Sequence, residues 1–128
     1  MQSDRALTVI DLFCGAGGLS EGFRQAGFHV LVGGPIQGVT PAQLLKAAGR
    51  ERGEIDVIVG GPPCQGYSVY NHQRGEDDPR AGLFREYLRI VKGINPRWIV
   101  MENVTGITSI AGGKIVDEIY KGLEGLGF

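Results

Sequence analysis

The sequence predicts an α/β fold in which a parallel β-sheet carries helices on both faces. Short apolar runs alternate along the chain with amphipathic stretches, which is the pattern of strand–helix–strand units joined by right-handed crossovers. Two of the runs, 55–59 and 98–101, are apolar almost without interruption. Such runs are typical of central strands that are covered on both faces.

The first half of the chain supplies two strands and two helices. Strand 8–13 leads directly into the glycine-rich segment 14–18, and a helical pattern over 18–27 follows. Glycine at position 22 has a poor helix propensity, and we interpret it as a mark of close packing between this helix and the sheet. Strand 28–33 and a short helix at 41–48 complete this half.

The second half repeats the alternation. Strands 55–60 and 97–102 contain the two apolar runs, and helix 81–93 lies between them. Residues 68–79 are polar and are predicted to form a loop. The last helix, 113–125, has apolar residues at helical spacing. We therefore expect four parallel strands, each followed by a helix.

The composition is that of one domain. The chain has 128 residues, of which 42% are hydrophobic, enough for a single core. No apolar run approaches the roughly 20 residues that span a bilayer, and residues 1–5 lack an apolar signal region. We expect a location in the cytoplasm of a bacterium or in the nucleus of a eukaryote, with no membrane partner. The two cysteines are expected to be thiols, and the two histidines have no metal-ligand spacing, so no metal site is predicted.

The chain has 13 basic and 14 acidic residues and a net charge of −1. This charge is unusual for a domain that binds nucleic acid without a partner, because such domains carry a basic face. Four basic residues share the helix predicted at 81–93 or its start. We favour a solvated helix face over a row of phosphate contacts. These residues are Arg80, Arg85, Arg89 and Lys92.

Two short segments place candidate reactive side chains on one edge of the sheet. Segment 60–68, with sequence GGPPCQGYS, follows one apolar strand, and segment 101–104, with sequence MENV, follows the next. Open α/β sheets bind ligands beyond the carboxyl ends of their strands. We therefore predict that Cys64 and Glu102 are neighbours in space, as a nucleophile and a carboxylate.

The glycine-rich segment supplies a third part of this site. A strand followed by a glycine-rich turn and a helix is typical of nucleotide-binding sites. Glycine allows a ligand to approach the backbone closely, and the free N–H groups at a helix start favour polar or anionic atoms of the ligand. Ser20 stands where the dinucleotide fingerprint requires a third glycine, and no phosphate loop of the Gly-Lys-Ser/Thr type is present. These features argue against NAD or ATP as the ligand.

Together these motifs resemble those of the cytosine-C5 methyltransferases that use S-adenosylmethionine. Segment 11–18, DLFCGAGG, is similar to the cofactor motif of that family; 63–65, PCQ, to its nucleophile motif; and 102–104, ENV, to its glutamate motif. They stand in the order found in the family. Segment 78–84, with Asp-Pro-Arg before Leu-Phe, is similar to a further family segment.

The resemblance implies a Rossmann-like methyltransferase fold, S-adenosylmethionine as cofactor, and a set of site residues. It implies catalysis by Cys64 and Glu102. The implied cofactor-binding residues are Phe13, Ala16, Gly17, Gly18, Leu19, Pro62 and Leu83. The implied substrate contacts are Gln65, Ser68, Arg80 and Asn103.

The implied reaction is transfer of a methyl group to C5 of cytosine in DNA, through a covalent adduct of Cys64 at C6 that Glu102 assists. The base has to leave the helix stack to reach such a site. Two alternatives stay open: an RNA cytosine-C5 methyltransferase, and a non-catalytic half or scaffold that needs a partner chain. Gly66-Tyr67-Ser68 resembles the DNA branch.

The chain also departs from the family pattern. No acidic residue occurs between Glu21 and Glu51, where the family holds the cofactor ribose and adenine, and the segment between Val32 and Gln37 is short. The family's recognition domain and final cofactor motif have no counterpart in the sequence. We therefore expect residues 1–128 to form one partial catalytic domain without a target-recognition domain, and a second chain or C-terminal half to supply the rest.

Overall fold

The computed structural model describes residues 5–12, 18–34, 38–61, 83–102, 108 and 112–128. Within these residues all eight predicted elements are present, and their ends differ from the predicted ones by a residue or two. They are β1 (Thr8–Leu12), α1 (Gly18–Gln25), β2 (His29–Gly34), α2 (Pro41–Ala48), β3 (Val57–Gly60), α3 (Leu83–Ile94), β4 (Trp98–Met101) and α4 (Lys114–Gly125).

The four strands form one parallel sheet in the order β2-β1-β3-β4. β1 lies between β2 and β3, while β4 pairs only with β3 among the described strands. The chain leaves β2 at one edge, passes through α2, and returns on the other side of β1 to form β3. The prediction of a parallel sheet with alternating helices is confirmed.

Helices cover both faces of the sheet, but unequally. Ile10, Leu12 and Ile58 belong to a core cluster with apolar residues of α2 and α3. Val9, Val57 and Val59 belong to a separate cluster on the opposite face, where Phe23 of α1 and the adjacent Phe28 pack against them. α4 packs outside α3, through a third cluster of buried residues. Successive side chains of a strand point to opposite faces of the sheet, and the core is therefore divided between the two faces.

The face covered by α1 is the more open one. No residue of α1 is fully buried, and Trp98 on β4 is 68% exposed. The interpretation of Gly22 as a mark of tight helix–sheet packing is wrong, because a Cβ atom placed there would meet no heavy atom within 4 Å. Gly22 therefore lowers the helix propensity of α1 without a packing reason.

Local sequence signals fix the ends of α2. Thr40 and Gln43 form a capping box, in which the Thr40 hydroxyl accepts from the Gln43 backbone and the Gln43 side chain accepts from the Thr40 backbone. Pro41 suits the first helical turn, because a backbone N–H at that position has no hydrogen-bond acceptor within the helix and its absence therefore costs nothing. Gly49 ends the helix with φ of 66°, a left-handed conformation that favours glycine.

Asp56 ties β1 to the start of β3 at the amino end of the sheet. Its buried carboxylate accepts hydrogen bonds from the Thr8 backbone N–H at 2.8 Å and from the Thr8 hydroxyl at 2.9 Å. The Arg5 guanidinium donates two more, at 3.0 and 3.1 Å. Burial opposes ionisation, but these hydrogen bonds outweigh it and hold the pKa of Asp56 below its usual value.

We expect Asp56→Asn to lower the free energy of unfolding by about 1–3 kcal/mol near neutral pH. Because the pKa of Asp56 is lower in the folded than in the unfolded chain, its contribution is present above the unfolded pKa of about 3.9 and is lost as pH falls through the folded value. Urea unfolding at neutral pH and at several acidic values measures the difference between the two chains. A difference that stays constant down to about pH 2 would contradict this account.

None of the helices in the described segments is long and apolar enough to cross a lipid bilayer.

Candidate active site

The carboxyl ends of β3 and β4 lie side by side. Gly60 pairs with Met101 in the parallel register, and the Glu102 backbone N–H donates to the Gly60 carbonyl at 3.0 Å. Gly61 is next to the Glu102 side chain, since a Cβ atom at position 61 would lie 2.6 Å from Oε2 of Glu102. Glu102 is exposed at this edge. Gly61, three residues before Cys64 in the sequence, thus lies beside the exposed Glu102 carboxylate.

The carboxyl end of β1 reaches the same edge. Leu12 pairs with Gly60 on one side and with Gly34 on the other, so the last residue of β1 lies between the ends of β2 and β3. The glycine-rich segment follows Leu12 in the sequence. α1 begins at Gly18, immediately after this segment. The structure thereby brings the strand ends that lead to the cofactor, nucleophile and glutamate motifs onto one edge.

Gly60 has a steric role at this edge. A Cβ atom at position 60 would lie 2.9 Å from the Leu12 carbonyl oxygen and 2.9 Å from Cε2 of Tyr87. Both distances are shorter than side chains normally allow. Glycine therefore lets β1, β3 and α3 approach closely at the carboxyl end of β3.

Tyr87 of α3 holds β3 and β4 together, a role that hydrophobic patterning does not predict. It is fully buried. Its hydroxyl oxygen lies 3.0 Å from the Val100 carbonyl oxygen and 3.3 Å from the Ile58 carbonyl oxygen, and the single hydroxyl proton is shared between these two acceptors. Burial, and then the negative charge of Asp11, raise the pKa of Tyr87 well above its ordinary value. The phenol therefore stays protonated and acts as a donor to the two strands.

The described residues include four of the predicted site residues. Gly18 and Leu19 form the start of α1, where Leu19 is 36% exposed. Leu83, at the start of α3, is 8% exposed and packs in the main core cluster. Glu102 is exposed at the strand edge. The other predicted site residues lie outside the described residues: Phe13, Ala16, Gly17, Pro62, Cys64, Gln65, Ser68, Arg80 and Asn103.

Two of the three basic residues of α3, Arg85 and Arg89, have protein partners. Arg85 pairs with Glu118 of α4 at 2.8 Å. Arg89 pairs with Glu86 at 2.7 Å and donates to the Val39 carbonyl at 2.9 Å. The hydrogen bond from Arg85, and its charge, lower the pKa of Glu118. These contacts support the interpretation of the basic residues as part of a solvated helix face rather than a row of phosphate contacts. Arg80 lies outside the described residues.

Asp11 is a second residue whose role was not predicted. It is the one charged residue of β1 and follows the apolar residues Val9 and Ile10, a pattern that could have indicated a special role. The carboxylate is fully buried and accepts from the Ser20 hydroxyl of α1 at 2.6 Å. It therefore joins the end of β1 to the first turn of α1. Among the described residues, no three His, Cys, Asp or Glu side chains are grouped closely enough to hold a metal ion.

Comparison with known proteins agrees with this arrangement of motifs. The sequence profile of the C-5 cytosine-specific DNA methylase family matches residues 43–128, which include β3, β4 and Glu102. This chain belongs to that family. The predicted family resemblance is therefore confirmed.

Curated members of the family are similar over most of this chain. Type II methyltransferase M.AgeI of Thalassovita gelatinovora is 38% identical over 95% of this chain, which spans 33% of that protein. Type II methyltransferase M.AquIA of Picosynechococcus is 37% identical over 87% of this chain, which spans 54% of that protein. The chain thus spans about a third to a half of the length of these members.

The alignment with M.AgeI runs over 144 positions but covers only 95% of this chain, whose length is 128 residues. That member of the family therefore carries residues within the aligned region that this chain lacks. The observation agrees with the shortened connection that the sequence shows after Val32.

A solved structure has the same fold. It is the crystal structure of a candidate DNA modification methyltransferase encoded within a prophage of E. coli, with a TM-score of 0.74 and 30% sequence identity. The match covers 94% of this chain and 38% of that protein. The predicted methyltransferase fold is confirmed for this part of the family's catalytic domain.

Proposed function

We propose that this chain carries the nucleophile and the assisting carboxylate of an enzyme that transfers a methyl group from S-adenosylmethionine to C5 of cytosine in DNA. The observation that carries the proposal is the parallel pairing of β3 with β4, which puts Glu102 beside Gly61 where the chain continues toward Cys64. Membership of the C-5 cytosine-specific DNA methylase family supports it.

The reaction needs a nucleophile because C5 of cytosine is itself a poor one. The Cys64 thiolate adds to C6, and the new S–C6 bond moves electron density onto C5. Glu102 hydrogen-bonds the ring at N3 and the exocyclic amine and stabilises the protonated, activated ring. When bound, S-adenosylmethionine supplies the electrophilic methyl group that C5 receives. Water or another base then takes up the C5 proton. The C5–H electron pair forms the C5–C6 double bond again, and the S–C6 bond breaks to release the Cys64 thiolate.

The residues at the carboxyl end of β1 fit such a cofactor. One oxygen of the buried Asp11 carboxylate has no hydrogen-bond partner in the described part of the chain, and the first turn of α1 offers backbone N–H groups that have no partner within the helix. The cofactor would be held by Phe13, Ala16, Gly17, Gly18 and Leu19, with Pro62 and Leu83 nearby. The absence of acidic residues between Glu21 and Glu51 removes the usual ribose contact, so we expect weak binding.

The DNA contacts are proposed for Gln65, Ser68, Arg80 and Asn103, which follow or flank the two strand ends in the sequence. The net charge of −1 is low for a protein that binds DNA alone. We therefore propose that this chain is a partial catalytic domain and that further polypeptide, in the same or another chain, carries target recognition. The family members of which it spans a third to a half support this division.

The proposal is tested by transfer of labelled methyl from S-adenosylmethionine to mixed-sequence DNA, with tRNA in parallel and Cys64→Ser as the matched variant. The chain is assayed alone and with a separately produced C-terminal part of a family member. Label in DNA that depends on Cys64 supports the proposal. If only tRNA is labelled, the substrate is RNA and not DNA. No label with any such supplement would show that the chain is a non-catalytic scaffold.

A second experiment tests the covalent step directly. In oligonucleotides that contain 5-fluorocytosine, fluorine replaces the C5 hydrogen. When S-adenosylmethionine is present and C5 has been methylated, there is no C5 proton to lose, so the S–C6 bond should persist. We expect a DNA adduct that survives denaturing electrophoresis with the wild-type chain and is absent with Cys64→Ser. An adduct of equal yield in both chains would assign the nucleophile to another residue.

Gly61→Ala should affect the reaction more than the fold. The added Cβ would lie 2.6 Å from Oε2 of Glu102, and the exposed carboxylate can move aside with a stability change within about 0.5 kcal/mol. Misplacement of an assisting group by about an ångström reduces rates roughly 10²-fold. Methyl-transfer rates and urea unfolding of the same preparation measure the two effects. Unchanged methyl-transfer rates would show that the reaction does not depend on the present position of the Glu102 carboxylate.

A further inference from the structure

An open cavity lies at the amino end of the sheet, beside the start of β3. Its volume is about 530 Å³, within the range of roughly 300–1,000 Å³ that is common for ligand-binding clefts. The five residues of β1 separate the amino end of the sheet from its carboxyl end by roughly 13 Å. None of the described residues that line the cavity is proposed to take part in methyl transfer. A ligand bound here would therefore be distinct from the cofactor and the reacting cytosine.

The charged groups of the cavity are mainly arginines. Three guanidinium groups and two carboxylates line it, from Arg5, Arg50, Arg97, Glu54 and Asp56. The lining is therefore positive, although the whole chain has a net charge of −1. The other described lining residues are glycines, so no aromatic or aliphatic side chain stands among them. This composition favours an anionic ligand over one that is held by stacking or apolar contact.

Both carboxylates of the cavity already have partners within the fold. Asp56 is buried, and its oxygens accept two hydrogen bonds from Arg5 and two from Thr8. Glu54 accepts from a backbone N–H of its own loop at 2.8 Å and belongs to no ion pair of the described segments. Neither carboxylate therefore hydrogen-bonds a second guanidinium group in the described part of the chain.

Arg97 supplies a positive charge in excess of what Asp56 needs. Its Nη1 lies 3.7 Å from Oδ1 of Asp56, beyond hydrogen-bond distance, while Arg5 pairs with the same carboxylate at 3.0 Å. Two like charges beside one carboxylate repel each other, and a further anion next to them would relieve this repulsion. The Arg97 side chain is 67% exposed, so an anion can reach it from solvent.

Two arginines also offset the negative ends of the neighbouring helices, which would otherwise repel an anion. Arg50 donates to the Gly49 carbonyl at the end of α2, at 3.2 Å. Arg52 donates to the Lys92 carbonyl in the last turn of α3, at 3.3 Å. These bonds place positive charge where the helices carry partial negative charge. A guanidinium has five N–H donors, so Arg50 keeps donors for a ligand.

We propose that this cavity is a second binding site, which takes a phosphate-bearing ligand through the guanidinium groups of Arg50 and Arg97. A guanidinium presents its N–H donors in a planar fork that matches the oxygens of a phosphate group. The phosphate belongs either to a small ligand or to the backbone of a nucleic acid. The inference goes beyond the proposed function, because the cavity lies at the end of the sheet opposite to the proposed active site.

Titration calorimetry at low ionic strength tests the inference with two probes. Pyrophosphate carries no base and cannot report the cofactor site, and a short duplex of adenine and thymine offers no cytosine. The wild-type chain should bind at least one of them. Arg97→Gln and Arg50→Gln should each weaken that binding roughly tenfold, because each removes charge-assisted hydrogen bonds. Both residues are exposed, so the variants should fold, which urea unfolding checks.

Arg24→Gln is the matched control. It removes the same charge from an exposed position on α1, outside the cavity, and should change the affinity by less than about twofold. Equal weakening in Arg24→Gln and Arg97→Gln would show a general attraction of anions and overturn the inference. Tighter binding of a glutamate peptide than of either probe would also overturn it, since the cavity would then be a contact for acidic protein segments.

The two probes distinguish the sources of the phosphate. Binding of pyrophosphate that depends on Arg97 supports a small ligand, and binding of the duplex alone with the same dependence supports a nucleic-acid backbone. A wild-type chain that binds neither probe overturns the inference whether or not the variants fold. Methyl transfer is measured separately, so this failure would leave the proposed function intact.

Discussion

A chain with Glu102→Gln is expected to transfer methyl groups to cytosine roughly 10²- to 10⁴-fold more slowly than the wild type. Glutamine has nearly the same shape as glutamate, but it cannot take part in proton exchange at N3 of the ring. Because Glu102 is exposed at the strand edge, the substitution should leave the fold intact. Single-turnover methyl transfer, with the chain or with the supplemented chain that restores activity, measures the effect.

Glu124→Gln provides the matched control for this experiment. Glu124 is an exposed carboxylate in the last turn of α4, where it has no proposed part in the reaction. Its substitution should leave the rate within about twofold and the stability within about 0.5 kcal/mol. Equal rates for wild type and Glu102→Gln would remove Glu102 from the reaction and leave its position at the edge unexplained.

The second large effect is expected on stability, from Gly60→Ala. The added Cβ would lie 2.9 Å from the Leu12 carbonyl oxygen and from Cε2 of Tyr87. Neither atom can move easily, because Leu12 belongs to the central strand β1 and Tyr87 is fully buried. We expect a loss of about 1–3 kcal/mol in the free energy of unfolding. Urea unfolding with an unchanged m-value checks this expectation.

Gly22→Ala is the matched glycine substitution. A Cβ atom there meets nothing within 4 Å, and alanine has the higher helix propensity. We expect a gain of about 0.5–1 kcal/mol. If Gly60→Ala and Gly22→Ala changed stability equally, local propensity rather than packing would explain both results. The pair thus separates a glycine required by close approach from one that is not.

The two glycines at the end of β3 are expected to act differently although they are neighbours. Position 60 faces a strand carbonyl and a buried ring, whereas position 61 faces the end of an exposed carboxylate. A Cβ atom at the first position strains the core, and one at the second displaces a flexible side chain. Gly60 therefore supports the fold on which the site is built, and Gly61 leaves room for the position of Glu102.

The fold class could be predicted from patterns in the sequence alone. Nearly continuous apolar runs predicted strands covered on both faces, and their alternation with amphipathic stretches predicted a parallel sheet. Since parallel strands end at one edge, the motifs that follow β1, β3 and β4 in the sequence are predicted to meet there. The adjacency of β3 and β4 confirms the strand placement, while the contact between Cys64 and Glu102 stays a prediction.

The individual roles of four residues could not be predicted in this way, because they depend on contacts between distant segments: Asp11, Asp56, Tyr87 and Gly22. Asp56 bonds to Thr8 across 48 residues of sequence, and Tyr87 bridges the carbonyls of two strands. Such contacts depend on the register between distant segments and on the depth to which each helix packs. Hydrophobic periodicity gives the buried face of an element, but it carries no information on which atoms meet across the core or which buried oxygen is left without a partner.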